Sequence, residues 1–309
     1  MKAFTKMMTI VITGATSFIG VHLLQQLYTE GHEIYVVARE GSSHLVRLKE
    51  FPKVKIVYCN LTNMEALKEF LPEKIDLFYH LAWEGARRPY RDVEAMQQKN
   101  YEAALTVYNI ARDKGCCKFI GVGSQAEYGK TVGLISENYP TQPGTMYGKY
   151  KLKAGQELLQ KGEQDGVAVI WPRIFSVYGH FDNPETLIMT ALQKFRKNET
   201  LAMTEGVQNW NYLYVKDIAR MLTLLGLTDC ETGIYNFASR DNRSLREYIL
   251  ELKELTHSDS IVDFGAVPYG SEGVVSFQPD ISKFMKRFPS FTFTEFKDGV
   301  REILQYVSL

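Results

Sequence analysis

Cysteine is scarce: four residues in 309, Cys59, Cys116, Cys117 and Cys230, with no CxxC pair and no regular spacing. This argues against a disulfide framework and a structural metal, and for a reducing cytoplasm. An excess of charge of either sign is missing too. Lysine plus arginine and aspartate plus glutamate both number 36, so no global field draws the chain onto nucleic acid or an acidic membrane. No apolar run approaches the roughly 18 to 20 residues of a membrane span. The start, MKAFTKMMTIVITGA, puts Lys2 and Lys6 ahead of an apolar stretch in the manner of a secretion signal. Only Thr9 to Thr13 is strand-like before Gly14 interrupts it, short of the roughly 7 to 15 residues of a signal core. Internal repeats, low-complexity tracts and proline-rich linkers are absent as well. What is present is 45% hydrophobic residues, enough for a large core and a second, smaller one.

Short β-branched runs alternate with helical patterns from the N-terminus: TIVIT, then Phe18 to Glu30; EIYVV, then His44 to Glu50; KIVY, then Met64 to Leu71. LFYHL precedes a helix from Val93 to Lys114, FIGVG one from Met146 to Gln164, and VAVIWP closes the series. Strands that are apolar almost throughout, separated by helices, predict a parallel sheet covered on both faces. The expected fold is therefore α/β, a Rossmann-type doubly wound parallel sheet. Regularity weakens after Pro172, with helices expected at 185–197, 215–225 and 245–256 and a strand at 234–237. Residues 1–175 form the expected dinucleotide-binding domain, with 216–242 returning to it. Residues 176–215 and 243–309 form a smaller, discontinuous α/β cap, and a cleft between the two parts is the expected ligand site.

Thr13-Gly14-Ala15-Thr16-Ser17-Phe18-Ile19-Gly20 lies between the first strand and the first helix, where a glycine-rich turn brings backbone N–H groups to a pyrophosphate. Gly14 permits the tight turn and Gly20 the close packing of helix on strand; Ser17 stands where the central glycine of GxGxxG would be. The second strand ends in Ala38-Arg39-Glu40. A carboxylate at such a place holds a ribose 2′-hydroxyl, and a guanidinium a 2′-phosphate. Arg39, with Ser42, Ser43 and Arg47 near it in sequence, predicts NADP. The alternative is NAD, with Arg39 solvated and Glu40 on the ribose.

Tyr147 and Lys151 are four residues apart in an expected helix, hence on one face. An ammonium beside a phenol favours the phenolate that proton transfer needs. Tyr212 and Lys216 share the interval, but their run alternates like a strand, which sets them about 13 Å apart. Ser124 follows the fifth strand, at the carboxyl end where open sheets gather catalytic groups, and is placed to hydrogen-bond a substrate oxygen.

Taken together these segments resemble the extended short-chain dehydrogenase/reductase family, in its NAD-dependent epimerase/dehydratase branch acting on nucleotide sugars. TGATSFIG is similar to the family's TGxxGxxG loop, Asn60-Leu61 to its adenine-contacting pair, His80-Leu81-Ala82 to the segment after strand four and Asn100 to the asparagine of the next helix. Ser124 with Tyr128-Gly129, Tyr147 to Lys151, Arg173 with Tyr178-Gly179, Tyr212 to Asp217 and Phe264-Gly265-Ala266 continue the likeness over the whole chain. The resemblance implies Tyr147 as acid/base, Lys151 as ribose ligand and phenolate stabiliser, and Ser124 as partner of the reacting oxygen. It places Leu81, Ala82, Pro172 and Ile174 beside the cofactor, and Gln125 and Arg173 beside the substrate.

The departures bear on the reaction. Dehydratases of this branch carry Asp-Glu after the Ser/Thr; here Gln125 and Ala126 stand there, which disfavours 4,6-dehydration. Trp210 and the Pro268-Tyr269-Gly270 segment replace two expected phosphate-binding arginines. Trp210 is therefore expected to line the sugar or base, with Arg243, Arg87 and Arg88 as substitute cations. The leading expectation is NADP-dependent reduction of a 4-keto (deoxy)sugar nucleotide by a cytoplasmic enzyme. A nucleotide-sugar 4-epimerase is the alternative, and a non-catalytic NADP-binding sensor the reading of another class. A homodimer through the helices at 93–114 and 146–164 is expected by analogy.

Overall fold

The computed structural model describes residues 7–270 and 273–306; Lys2 and Lys6 lie outside the described residues. Strands β1 (Thr9–Thr13), β2 (Glu33–Ala38), β3 (Lys55–Tyr58), β4 (Leu77–His80), β5 (Lys118–Gly121) and β6 (Ala168–Ile174) lie in the order β6-β5-β4-β1-β2-β3. Neighbours in that series pair in parallel. Gly233–Phe237 extends the sheet beyond β6, and the two-residue strand Gly123–Ser124 runs parallel to it. The order reverses between β1 and β4, and the crevice outside the carboxyl ends of such strands is where open α/β sheets bind ligands.

Burial explains why these segments are strands. Ile10, Val11 and Ile12 are wholly inaccessible, and Leu77 to His80 are buried at every position, as a sheet covered on both faces requires. Helix α1 (Phe18–Tyr28) starts where the Ser17 hydroxyl accepts from Gly20 N. The long helices α2 (Glu94–Asp113) and α3 (Met146–Asp165) pack side by side, with the Tyr101 hydroxyl donating to Glu157. Thr145 caps the start of α3, and Gly166, at φ +71°, ends it. Val11, Val37, Phe78, Val107, Tyr108, Phe119, Leu158 and Trp171 belong to one core cluster.

Trp171 is the largest fully buried side chain there, and three glycines make room for it. A Cβ at Gly121, Gly123 or Gly155 would come within 2.4 to 2.6 Å of the indole. Truncating a buried tryptophan to alanine costs about 3–5 kcal/mol.

The chain divides into two compact units. The first holds the residues up to Gly129 with Pro140–Ile174 and Ile218–Tyr235; the second holds Lys130–Tyr139, Phe175–Asp217 and the residues from Asn236 on. The return segment thus ends seven residues before the expected 242, and residues 130–139, expected in the first part, group with the second. In that second unit Asn209–Tyr214 pairs in parallel with Ser176–Tyr178 and antiparallel with Asn242–Ser244. Leu134–Ile135 pairs with Gln278–Pro279, which accounts for the placement of 130–139. Tyr178, Tyr212, Tyr248 and Phe296 form its aromatic core.

The helix expected at His44 to Glu50 is a 3₁₀ turn, Ser43–Glu50, and the one expected at Met64 to Leu71 begins as a 3₁₀ turn, Leu61–Ala66, and becomes α-helical at Leu67–Phe70. The first buries only Leu48, too little apolar face to hold an α-helix, whereas the second buries Met64 and then Leu67.

Candidate active site

A pocket opens in the first unit at the reversal of strand order. It runs from Thr13, Gly14, Thr16 and Ser17 past Ala38, Arg39, Ser42 and His44 to Leu61, Leu81 and Ala82. Gly14 has φ +73°, and a Cβ there would lie 2.7 Å from Ala82 N; one on Gly20 would lie 2.1 Å from Gly14 O. The loop is thus closed down on its neighbours at both glycines, as a dinucleotide-binding turn demands. Thr13 is buried, hydrogen-bonded at 2.8 Å to His80 Nδ1, and accepts from Ala82 N. Burial holds the His80 imidazole down at a pKa of about 3, with the Lys151 charge a smaller cause. Phe18 and Ile19 open α1, and Asn60 precedes the Leu61–Ala66 turn without a capping side-chain bond.

Past the pocket lie the proton-handling groups. Ser124 caps a short turn: its hydroxyl accepts from Ala126 N at 3.2 Å, and the Glu127 carboxylate accepts from Ser124 N at 2.8 Å. Burial raises the Tyr147 phenol above its usual pKa, a hydrogen bond with Ser124 lowers it, Glu127 raises it and Arg91 lowers it. Lys151 Nζ donates to Val122 O at 2.6 Å and stands 5.9 Å from the Tyr147 ring centre. Burial lowers its pKa to about 7, opposed by the Glu127 charge. The geometry thus brings Ser124, Tyr147 and Lys151 together at the carboxyl end of the sheet. Lys216 instead pairs with Glu302, while Tyr212 is buried in the second unit.

Other expected residues are placed differently. Arg173, expected at the substrate, is buried beneath the serine turn, where Nε donates to Glu127 at 2.7 Å and the guanidinium lies over the Tyr128 ring. Trp171 Nε1 donates to the same carboxylate at 3.0 Å. Pro172 and Ile174 flank Arg173 on β6, both buried, with Ile174 opposite Ser124 in the sheet. Gln125 is half-buried in the serine turn, and Arg87 is exposed, its carbonyl accepting from Arg91 N. In the second unit Arg243 is already ion-paired with Asp241 and Glu251, so its charge is matched. Trp210 is half-buried, edge-on to Phe277 at 5.2 Å, and Tyr269 donates to Gln208.

Four residues escaped the sequence reading. Trp83 lines the pocket, and Lys151 Nζ sits 3.7 Å from its ring centre. Glu84 pairs with Arg39. Glu127 holds the serine turn, and Arg91 lies 5.9 Å from the Tyr147 ring centre. Trp83 and Glu84 directly follow the expected His80-Leu81-Ala82 segment, the one signal that could have found them. Among the described residues there is no cluster of three or more His, Cys, Asp or Glu able to hold a metal ion, and no helix long and apolar enough to cross a membrane.

The parallel sheet and the glycine turn after β1 define a Rossmann-type fold. The model of the NAD dependent epimerase/dehydratase family matches residues 10–238, well over half of the chain, and the chain belongs to that family. It is 23% identical over 319 residues to an uncharacterized UDP-glucose epimerase of Bacillus subtilis, a match covering 97% of this chain and 98% of that protein. The structure of UDP-glucose 4-epimerase from Thermotoga maritima with UDP-glucose superposes with a TM-score of 0.85 at 20% identity, over 97% of this chain and 98% of that one. UDP-glucuronic acid 4-epimerase from Bacillus cereus, in complex with UDP-glucuronic acid and NAD, gives a TM-score of 0.79 at 19% identity, over 97% and 100%. These two structures share the fold.

Proposed function

We propose that the chain catalyses hydride transfer at the 4-position of a nucleotide sugar, with Tyr147 as acid/base. The observation that carries this is the convergence of Ser124, Tyr147 and Lys151 at one end of the dinucleotide pocket. A nicotinamide dinucleotide, when bound, supplies or takes the hydride. Thr13 to Gly20 would hold its pyrophosphate, Arg39 and Ser42 its adenosine ribose, and Leu81, Ala82, Pro172 and Ile174 its remaining length.

Tyr147 must move a proton between its phenol and the sugar oxygen, and burial by itself makes that phenol a weaker acid. Ser124 counters this by hydrogen-bonding the phenol in the free protein, and with substrate present it would donate to the reacting oxygen. A charged Lys151 would stabilise the phenolate further. Its low pKa leaves the ammonium partly deprotonated near neutrality, and an anionic ligand beside it would restore the charge.

Two net reactions share these steps. Reduction of a 4-keto (deoxy)sugar nucleotide by NADPH is supported by Arg39 and Ser42 lining the pocket. Epimerisation at C4, with NAD retained, is supported by the family's description and by the carboxylate that already occupies Arg39. The expected setting is the cytoplasm and a homodimer through α2 and α3.

Incubation of the purified protein with nucleotide sugars and their 4-keto forms, each with NAD(H) and NADP(H), separates these outcomes by product. Tyr147→Phe should keep cofactor affinity and lower kcat by about 10²- to 10⁴-fold, as loss of an acid/base group does. Retention of more than about a tenth of kcat would remove Tyr147 from that role.

A further inference from the structure

Arg39 Nη1 donates to Glu84 Oε1 at 2.8 Å, joining the end of β2 to the segment after β4. The two side chains are 60% and 43% exposed, and both line the dinucleotide pocket. Glu84 is nevertheless fixed at its base. Its N–H donates to Asn100 Oδ1 at 2.9 Å, and Asn100 Nδ2 donates to its carbonyl at 2.8 Å. Asn100 is buried in α2, so the backbone of Glu84 is held on both sides while its carboxylate meets the guanidinium. The next guanidinium along, Arg47, donates to Thr16 O at 2.8 Å.

We propose that Glu84 sets the choice between dinucleotides with and without a 2′-phosphate, by competing with that phosphate for Arg39. The proposal rests on the reading of this pocket as a nicotinamide dinucleotide site. A 2′-phosphate must draw Arg39 away from Glu84, and it then lies beside a carboxylate of its own sign. A free 2′-hydroxyl leaves the ion pair intact and can donate to the carboxylate. Selectivity therefore comes from a repulsive group as much as from an attractive one. Arg39 alone, read from sequence, signals only the attractive half.

Because the fold contacts of Glu84 are made by its backbone, Glu84→Gln should leave the melting temperature unchanged and alter binding alone. Calorimetry at low salt on the unmodified protein, Glu84→Gln, Arg39→Gln and the double variant tests it. Glu84→Gln should tighten NADP by about fivefold, the upper range of an exposed ion pair, and NAD by less than about twofold. The gain should vanish in the Arg39→Gln background and shrink at about 1 M salt. If both dinucleotides bind and their affinity ratio is the same in Glu84→Gln, the proposal fails while the cofactor reading stands. The same holds if NADP tightens equally without Arg39. Binding of neither dinucleotide to the unmodified protein refutes the cofactor reading and the proposal with it.

Discussion

Replacing Glu127 should unsettle the site from beneath. Its carboxylate is wholly inaccessible and accepts three hydrogen bonds, from Ser124 N at 2.8 Å, Trp171 Nε1 at 3.0 Å and Arg173 Nε at 2.7 Å. Glutamine offers one acceptor oxygen in place of two and turns an N–H₂ toward a donor. It also leaves Arg173, whose side chain is only 3% exposed, without its counter-charge. Breaking a buried pair from one side costs about 3–5 kcal/mol. For a chain of this size that corresponds to a fall in Tm of roughly 6–10 °C, at about 2 °C per kcal/mol. Urea and thermal unfolding of Glu127→Gln, Arg173→Met and the double variant would measure it. The double variant should lose clearly less than the sum of the singles, because it removes the stranded charge while the amide oxygen, in the place of Oε1, still accepts from Ser124 N–H and Trp171 N–H. Single effects that add to within about 0.5 kcal/mol, or a Glu127→Gln protein melting within about 2 °C of the parent, would refute the reasoning.

The buried His80, held at a pKa of about 3 against an ordinary 6.5, binds fewer protons folded than unfolded. Its contribution is therefore complete above pH 6.5 and is lost as pH falls toward 3, by up to about 1.4 kcal/mol per pH unit; urea midpoints for His80→Asn that keep the parent's full acid slope would exclude this origin. Trp210→Ala should raise KM for the sugar substrate with little change in Tm, since the ring is half-buried and its Nε1–H has no partner among the described residues. A loss of roughly 3–5 kcal/mol in unfolding would instead make it a core residue.

The first unit was readable because its determinants are local. Parallel strands covered on both faces are apolar at nearly every position, and TIVIT spans the observed strand β1 residue for residue; KIVY spans β3 as closely, although that edge strand buries only Val57. The Tyr147–Lys151 spacing needed only the helix that Thr145 starts. Arg173 was misplaced because its burial depends on Glu127, 46 positions earlier, and an acid beside Ser124 carries no mark of which cation it will meet. Residues 130–139 were assigned to the first part because Leu134 and Ile135 find their strand partners only at Gln278 and Pro279. Trp83 and Glu84 sit in a non-repetitive segment after β4, where no periodicity reports direction; their partners Lys151 and Arg39 come from other elements. The sequence distinguishes strands and helix faces through repetition, and contacts between single residues far apart have none.

Trp171 makes three glycines conditional on one indole. Relatives that keep a tryptophan at this place should keep glycine at 121, 123 and 155, whereas those with a smaller side chain are released to carry alanine at 121 and 155; Gly123, where a Cβ would also meet Glu127 Oε1 at 2.5 Å, is released only if that carboxylate changes too. The same coupling shapes what laboratory evolution can reach. A library that samples Gly121 or Gly155 singly meets an indole that has to shift, while one that varies position 171 alongside them opens volume at the end of β5 and along α3 in a single move.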